Sequence, residues 1–395
     1  MKPEKKERRG LLESPSFLSI LASVICIVIG LIAGLIVLFI INPEHAMTDG
    51  FIRLIKGGFY DFPYGVGKVL SNAAPLIMTG LSVGFAFKTG LFNIGVAGQY
   101  TLGAFGALYF AIVLQMPWYV CLLAATVFGA FWGAIPGIFK AYLNVNEVIT
   151  SIMFNWIGLY AVNEIMYGGG KGLMYDSKST KTFSLRNIFP DSVIPDLGLS
   201  KVFQLKSVTI AIFLAVLVAI LIYVVLNKTI FGYELKACGH NKFAAQYAGI
   251  SDKRNIILSM VIAGALAGFG AGLFYLSGVA EWNPQNSTAL PAVGWNGIPV
   301  ALLAASNPIG TIFAALFISH ITVGGTYLNT SWFPKEIADV ITAIVIYLCA
   351  FVLLFKHSIS SRFSRKRDSG GDGEEPEGPV ETVPGPEAAG KEGDA

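Results

Sequence analysis

A chain of 395 residues that is 54% apolar and only 13% charged, with a net charge of +3, is not composed like a soluble domain of its size. Its charges gather in the termini and loops, and the stretches between them approach the roughly 20 apolar residues that cross a hydrocarbon core. The four cysteines (Cys26, Cys121, Cys238, Cys349) and four histidines are scattered, without metal-ligand spacing or a disulfide framework.

The first apolar run, Phe17–Ile41, is too long for a secretory signal and has no small-residue exit site, so it is expected to stay as a helix. Nine further spans follow, over about Val69–Phe87, Leu91–Leu114, Trp118–Ala141, Glu147–Tyr167, Val208–Leu226, Ile256–Val279, Pro291–Ala305, Ile309–Leu328 and Ile337–Phe355. The fold class expected is therefore an all-α polytopic membrane protein of about ten helices, spanning 17–355. Five Lys/Arg lie in the first nine residues, and Lys356, Arg362, Arg365, Lys366 and Arg367 follow the last span. Both ends, 1–16 and 356–395, are accordingly expected to be cytoplasmic, the latter basic and then acidic and disordered. Six Lys/Arg in the opposite-side loop Gly168–Lys206 run against this rule, which long loops obey poorly.

The eighth span is the weakest, with Pro291, Gly294, Gly297 and Pro299 in about 15 residues. That composition suits a broken segment lining a protein cavity better than a lipid-facing helix; a count of nine spans plus a surface loop stays open. Glycines at four-residue spacing (Gly129, Gly133, Gly137; Gly264, Gly268, Gly272; Gly80, Gly84) predict close helix crossings.

Polar groups inside spans are functional candidates because they are costly in lipid. Asn93 and Gln99 stand among Gly90, Gly95 and Gly98, and Asn155 falls mid-span in Asn144–Trp156. Uncharged amides suit a neutral, hydroxyl-rich solute, and interhelical bonding is an equal alternative. Glu147, at a helix start, fits a macrodipole cap or a gate. Trp295 and Asn296 fit stacking on and reading of a ring, or an interfacial belt. Asn163 and Glu164 lie near the outer end of their span, and His320 reads as a packing residue.

Between the sixth and seventh spans lies Thr229-Ile-Phe-Gly232-Tyr-Glu-Leu-Lys-Ala237-Cys-Gly239-His-Asn241-Lys-Phe-Ala244-Ala245-Gln-Tyr-Ala-Gly249-Ile250. Asn241 can cap a helix start and Gly249 can end one, with small alanines between them for close approach by another protein. Gly232, Ala237, Gly239, Asn241, Ala244, Ala245, Gly249 and Ile250 match, in order, the coupling loop of ABC importer permeases of the simple-sugar and nucleoside branch. The segment around Asn93 and the string Asn146-Glu147-Val-Ile-x-x-Ile-Met-x-Asn155 also resemble this family, the latter its nucleoside subgroup. The resemblance covers about Val69–Phe355.

It implies a permease fold of the vitamin-B12-importer type and alternating access in a bacterial plasma membrane. It also implies a second related permease, a cytoplasmic ATPase seated on loop 228–255, and an extracytoplasmic substrate-binding lipoprotein. Under it Asn93, Gln99, Asn155, Trp295 and Asn296 belong to the translocation path and Glu147 to a gate. With no phosphate-binding Gly-x-x-x-x-Gly-Lys-Ser/Thr loop, ATP and magnesium are expected on the ATPase and no cofactor, metal or catalytic group on this chain. No nucleic acid partner is expected. A permease for a simple sugar such as ribose, and a self-contained secondary carrier, are the alternatives.

Overall fold

The computed structural model describes residues 15–168, 172–284, 289–334, 336–349 and 351. Residues 1–14 and the tail beyond 351 lie outside them, and with them the flanking charges on which the expected orientation of the termini rests.

Helices α1 (Pro15–Ile41), α2 (Ile52–Lys56), α3 (Tyr64–Lys88), α4 (Val96–Ile112), α5 (Trp118–Leu143) and α6 (Glu147–Tyr167) make up the first half. A small connecting segment follows, with the antiparallel hairpin β1 (Tyr175–Asp176) and β2 (Lys181–Thr182) and the single turns α7 (Leu185–Ile188) and α8 (Leu199–Val202). The second half is α9 (Ala211–Lys228), α10 (Ile230–His240), α11 (Lys242–Tyr247), α12 (Asp252–Tyr275), α13 (Ala292–Leu303), α14 (Pro308–Gly325) and α15 (Glu336–Cys349).

Seven of these helices (α1, α3, α5, α6, α9, α12 and α14) are long and apolar enough to cross a membrane. The other three expected spans fall on α4, α13 and α15, so all ten coincide with helices and, the short hairpin aside, the architecture is that of an α-helical polytopic membrane protein. The broken eighth span is α13, whose 12 residues cover only ~18 Å of the ~30 Å hydrocarbon core. Residues 276–284 and 289–291, between α12 and α13, are outside any helix.

Several boundaries differ from expectation by a few residues, α3 beginning at Tyr64 rather than Val69 and α12 running Asp252–Tyr275 rather than Ile256–Val279, and two of the differences have clear local reasons. The third span does not begin at Leu91. Helix α3 ends in a Schellman motif at Gly90 (φ +77°), with Leu91 N donating to Ala86 O at 2.9 Å and Gly90 N to Phe87 O at 3.2 Å. Residues 89–95 are therefore outside both helices. The final span starts one residue earlier than expected, and its end beyond 351 is outside the described residues. The stretch after α9 is more helical than expected: Thr229 caps α10 by accepting from Gly232 N at 3.1 Å.

Helix α3 is the centre of the bundle. Of its most apolar window 83% is buried, against 22% for α1, and α9, α12, α13 and α14 all pack on it. The glycine series do meet: a Cβ on Gly129 would stand 2.7 Å from Gly268 Cα, and one on Gly264 3.0 Å from Gly133 Cα. Helices α5 and α12 thus cross backbone to backbone, the close packing that replaces hydrophobic drive inside lipid. His320 is a packing residue. With its proton on Nε2 it donates to Ile55 O at 2.9 Å, and Nδ1 accepts from Gly58 N at 3.4 Å.

Candidate functional site

The end of the molecule formed by α10 and α11 is built from capping chemistry. Asn241 leaves helical geometry and its Oδ1 accepts from Phe243 N and Ala244 N, both at 3.0 Å. Its own N–H donates to Ala237 O at 3.0 Å, closing α10 in the same residue. Gly249 (φ +80°) then ends α11 as Gly90 ends α3, with Ile250 N donating to Ala245 O at 3.0 Å and Gly249 N to Gln246 O at 2.9 Å. A Lys242–Asp252 ion pair at 3.0 Å ties α11 to the first residue of α12.

The alanines divide in role. Ala245 is buried and packs inward, while Ala244 is exposed. What α11 presents outward is an aromatic pair four residues apart, Phe243 at 78% and Tyr247 at 96% exposure. Sequence reading by small residues missed this pair. The signal was there in the i, i+4 spacing, which puts both rings on one face.

Two glycines seat α10 on the rest of the bundle. A Cβ on Gly239 would lie 2.7 Å from Gly90 N and from Thr89 C, and one on Gly90 2.6 Å from Gly239 Cα. Gly232 makes a similar approach to Leu226 Cα, at 2.7 Å, where α10 folds back on α9. Behind this contact lies a cavity of about 290 Å³ between α10, the 89–91 turn, the end of α5 and the start of α12. Lys140 on its wall pairs with Glu147 at 2.9 Å. Glu147 is thus bound to the end of α5 as well as standing in the first turn of α6, where Asn146 is the cap, accepting from Val148 N at 2.8 Å.

The 89–95 turn leads directly into the polar residues singled out from the sequence. Asn93 and Gln99 are fully buried and closed on each other. Asn93 Nδ2 donates to Gln99 Oε1 (2.8 Å) and Ser82 Oγ (3.1 Å), and Gln99 Nε2 donates back to Asn93 Oδ1 (3.0 Å). Asn155, also buried, reaches from α6: its Oδ1 accepts from Gly98 N at 2.8 Å and its Nδ2 donates to Ile94 O at 3.0 Å. Gly98 N is one of the orphan donors of the first turn of α4, so α6 caps α4 from outside. In this conformation the three amides bond protein groups. Asn155→Leu strands a buried donor and a buried acceptor at about 1–3 kcal/mol each. We expect a lowered Tm in a thermal-shift assay of the purified protein, which Asn155→Gln restores at most in part.

Trp295 and Asn296 stand apart from this network. They lie on α13, Trp295 at 37% exposure and Asn296 half-buried, while the other face of α13 packs through Gly294 on Ala97 and Gly297 on Thr79. At the opposite end of α6, Asn163 Oδ1 accepts from Trp282 Nε1 at 2.9 Å. Glu164 is exposed nearby.

The family model for the branched-chain amino acid transport system permease component matches residues 65–350. The nucleoside ABC transporter permease NupB of Lactococcus lactis is 36% identical over 341 residues, 84% of this chain and 90% of NupB. The guanosine ABC transporter permease NupP of Bacillus subtilis is 34% identical over 341 residues, 84% of this chain and 93% of NupP. The glucose ABC transporter permease TsgB13 of Haloferax volcanii is 29% identical over 362 residues, 89% of this chain and 93% of TsgB13. The same two bacteria each have a second, more distant relative, NupC (27%) and NupQ (26%). No solved structure matches this chain. With a family model matched over well more than half its length and two relatives above 30% identity along nearly their whole length, this chain belongs to the ABC-transporter permease family described as the branched-chain amino acid transport system permease component.

Proposed function

We propose that this chain is one of two permease subunits of an ATP-driven importer of nucleosides in a bacterial plasma membrane. The observation that carries the coupling is the α10–α11 face: a capped helix displaying Phe243 and Tyr247, joined to the bundle by the backbone contact of Gly239 with Gly90. Aromatic side chains on a short rigid element are efficient anchors in a partner's groove. The partner is a cytoplasmic ATPase, which holds the ATP and magnesium; this chain supplies the transmembrane domain over 17–355 and no cofactor. The coupling face then lies in the cytoplasm, and with it both termini and the tail 356–395.

NupC and NupQ, standing beside NupB and NupP, support a second permease of the same family. An extracytoplasmic lipoprotein delivers the solute. Its release proceeds along a path that includes Trp295 and Asn296. Asn93, Gln99 and Asn155 hold the shape of that path at the 89–98 break, and Glu147 with Lys140 forms a gate at its cytoplasmic end.

NupB and NupP carry the substrate reading; TsgB13 favours a sugar as the second. Uptake of radiolabelled guanosine, uridine, glucose and ribose, in cells with this gene intact or deleted, decides between them. Loss of nucleoside uptake alone supports the proposal, and loss of sugar uptake alone replaces it. For the coupling face, Phe243→Ala with Tyr247→Ala is expected to lower co-purification of the ATPase and solute uptake together, leaving the amount of permease in the membrane unchanged. Unaltered co-purification would remove the aromatic anchors from the docking surface.

A further inference from the structure

A second cavity, of about 280 Å³, lies between α3, α12 and the entry to α9. Both α9 and α12 run from it to the coupling face: α9 begins beside it and ends at α10, and α12 begins beside α11 and ends at it. The two cavities are therefore separated by about the length of an 18-residue helix, ~27 Å. With the coupling face cytoplasmic, this cavity is on the side from which an importer receives its solute.

Its wall is mostly apolar, with five uncharged polar residues set into it, Ser71, Asn72, Ser207, Thr209 and Ser277, and no charged side chain. Ser71 and Ser207 share a hydroxyl–hydroxyl bond at 3.1 Å, which leaves one O–H and several lone pairs to spare. Thr209 Oγ1 accepts from Ala211 N at 3.3 Å and keeps its proton. Ser277 Oγ donates to Phe274 O at 2.7 Å and keeps its lone pairs. Phe274 contributes an aromatic wall. Asn72 is exposed on a membrane helix whose neighbours from Ala73 to Ala86 are buried. An exposed amide at that depth is costly in lipid and is placed where it meets water or a solute. Arg186 braces the rim, donating to the carbonyls of Lys206 (2.8 Å) and Ser277 (2.9 Å).

We propose that this cavity is an outer station for the transported solute, taking a neutral, ring-bearing molecule rich in hydroxyls. Donors and acceptors without charge match sugar hydroxyls and ring heteroatoms, and the Phe274 wall suits a flat ring. The volume sits just under the ~300–1,000 Å³ of pockets that enclose drug-sized ligands, which fits a nucleoside and a station that must also release it. The choice of a nucleoside rests on the reading proposed above.

The test uses the assembled importer in right-side-out membrane vesicles carrying Asn72→Cys, with a membrane-impermeant methanethiosulfonate added outside and the unaltered chain as control. We expect modification of Asn72→Cys to lower guanosine uptake by about tenfold or more, the unaltered chain to be unaffected, and guanosine-loaded binding protein to slow the modification. In parallel, Asn72→Leu is expected to raise KM for guanosine by about tenfold, the pattern of lost solute binding. A cysteine that the reagent does not reach, or one whose modification changes neither uptake nor protection, overturns the station. Failure of the unaltered importer to move guanosine, with glucose transported and protecting Asn72→Cys, overturns the nucleoside reading and leaves the station standing for a sugar.

Discussion

Replacing Gly239 with leucine is expected to abolish solute uptake while the protein still reaches the membrane. The added Cβ would stand 2.7 Å from Gly90 N and Thr89 C, which are backbone atoms with no rotamer to swing aside. The turn cannot retreat easily. Gly90 holds a positive φ of +77° and closes the Schellman motif that ends α3, and Thr89 is bonded through its hydroxyl to Ala86 O and to Ser259 of α12. The bulky side chain therefore lifts α10 off its seat, and under the proposed coupling, motion at α11 would no longer reach the 89–95 turn. Uptake should fall by about a hundredfold, near the limit of detection, while immunoblotting of membranes shows a normal amount of protein. Gly239→Ala, with the Cβ alone, should fall between. Ala245→Leu is a different lesion. It overfills a buried site at about 1–3 kcal/mol and should lower Tm before it lowers coupling. Full uptake by Gly239→Leu would overturn the proposal that the α10 seat couples a partner ATPase to this chain.

Gly268→Leu is expected to cost folded protein outright. Gly268 lies where α5 and α12 cross, with Gly129 Cα 2.9 Å and Gly129 N 3.1 Å from the position of an added Cβ. Gly103 of α4 approaches the same glycine from another helix. No direction is free for a side chain. In lipid the two helices are held by dispersion over the full length of their contact, so forcing them apart at the crossing loosens contacts at Gly133 and Gly264 as well. The loss should be at least about 3 kcal/mol, at or beyond the upper end of overpacking penalties. It should appear as aggregation on size exclusion after mild detergent extraction. Phe131→Ala on the outward face of α5, where Phe131 is 64% exposed, should elute as the unaltered protein does, within about 0.5 kcal/mol in stability. A monodisperse Gly268→Leu protein of normal Tm would mean that α5 and α12 do not meet through these glycines.

Much of the architecture was legible because its causes are local in the chain. A run of apolar residues long enough to cross lipid is visible without knowing its neighbours, and so all ten expected spans coincide with helices. Asn241 and Gly249 were legible for the same reason: a cap bonds N–H groups two and three residues away, and a left-handed terminator needs only the absence of its own Cβ. The errors were local too. Leu91 is apolar enough to extend a span, but the Schellman motif at Gly90 outranks hydropathy. Thr229 starts a second capped helix inside what composition alone shows as a polar loop.

The sequence by itself determined that this is a polytopic helical membrane protein, where its helices run, which segment forms a short capped helix between α9 and α12, and which residues were too costly in lipid to be incidental. Only the tertiary structure decided which of those residues meet. Gly90 and Gly239 are nearly 150 residues apart, yet they touch. Asn93 closes on Gln99 and Asn155 caps α4 from α6, whereas Asn72 faces a cavity it shares with residues of α9 and α12. An amide carries the same donor and acceptor wherever it stands. Whether it locks two helices or faces a solute depends on which group the fold brings within about 3 Å of it, and that distance is set by the packing of segments remote in sequence.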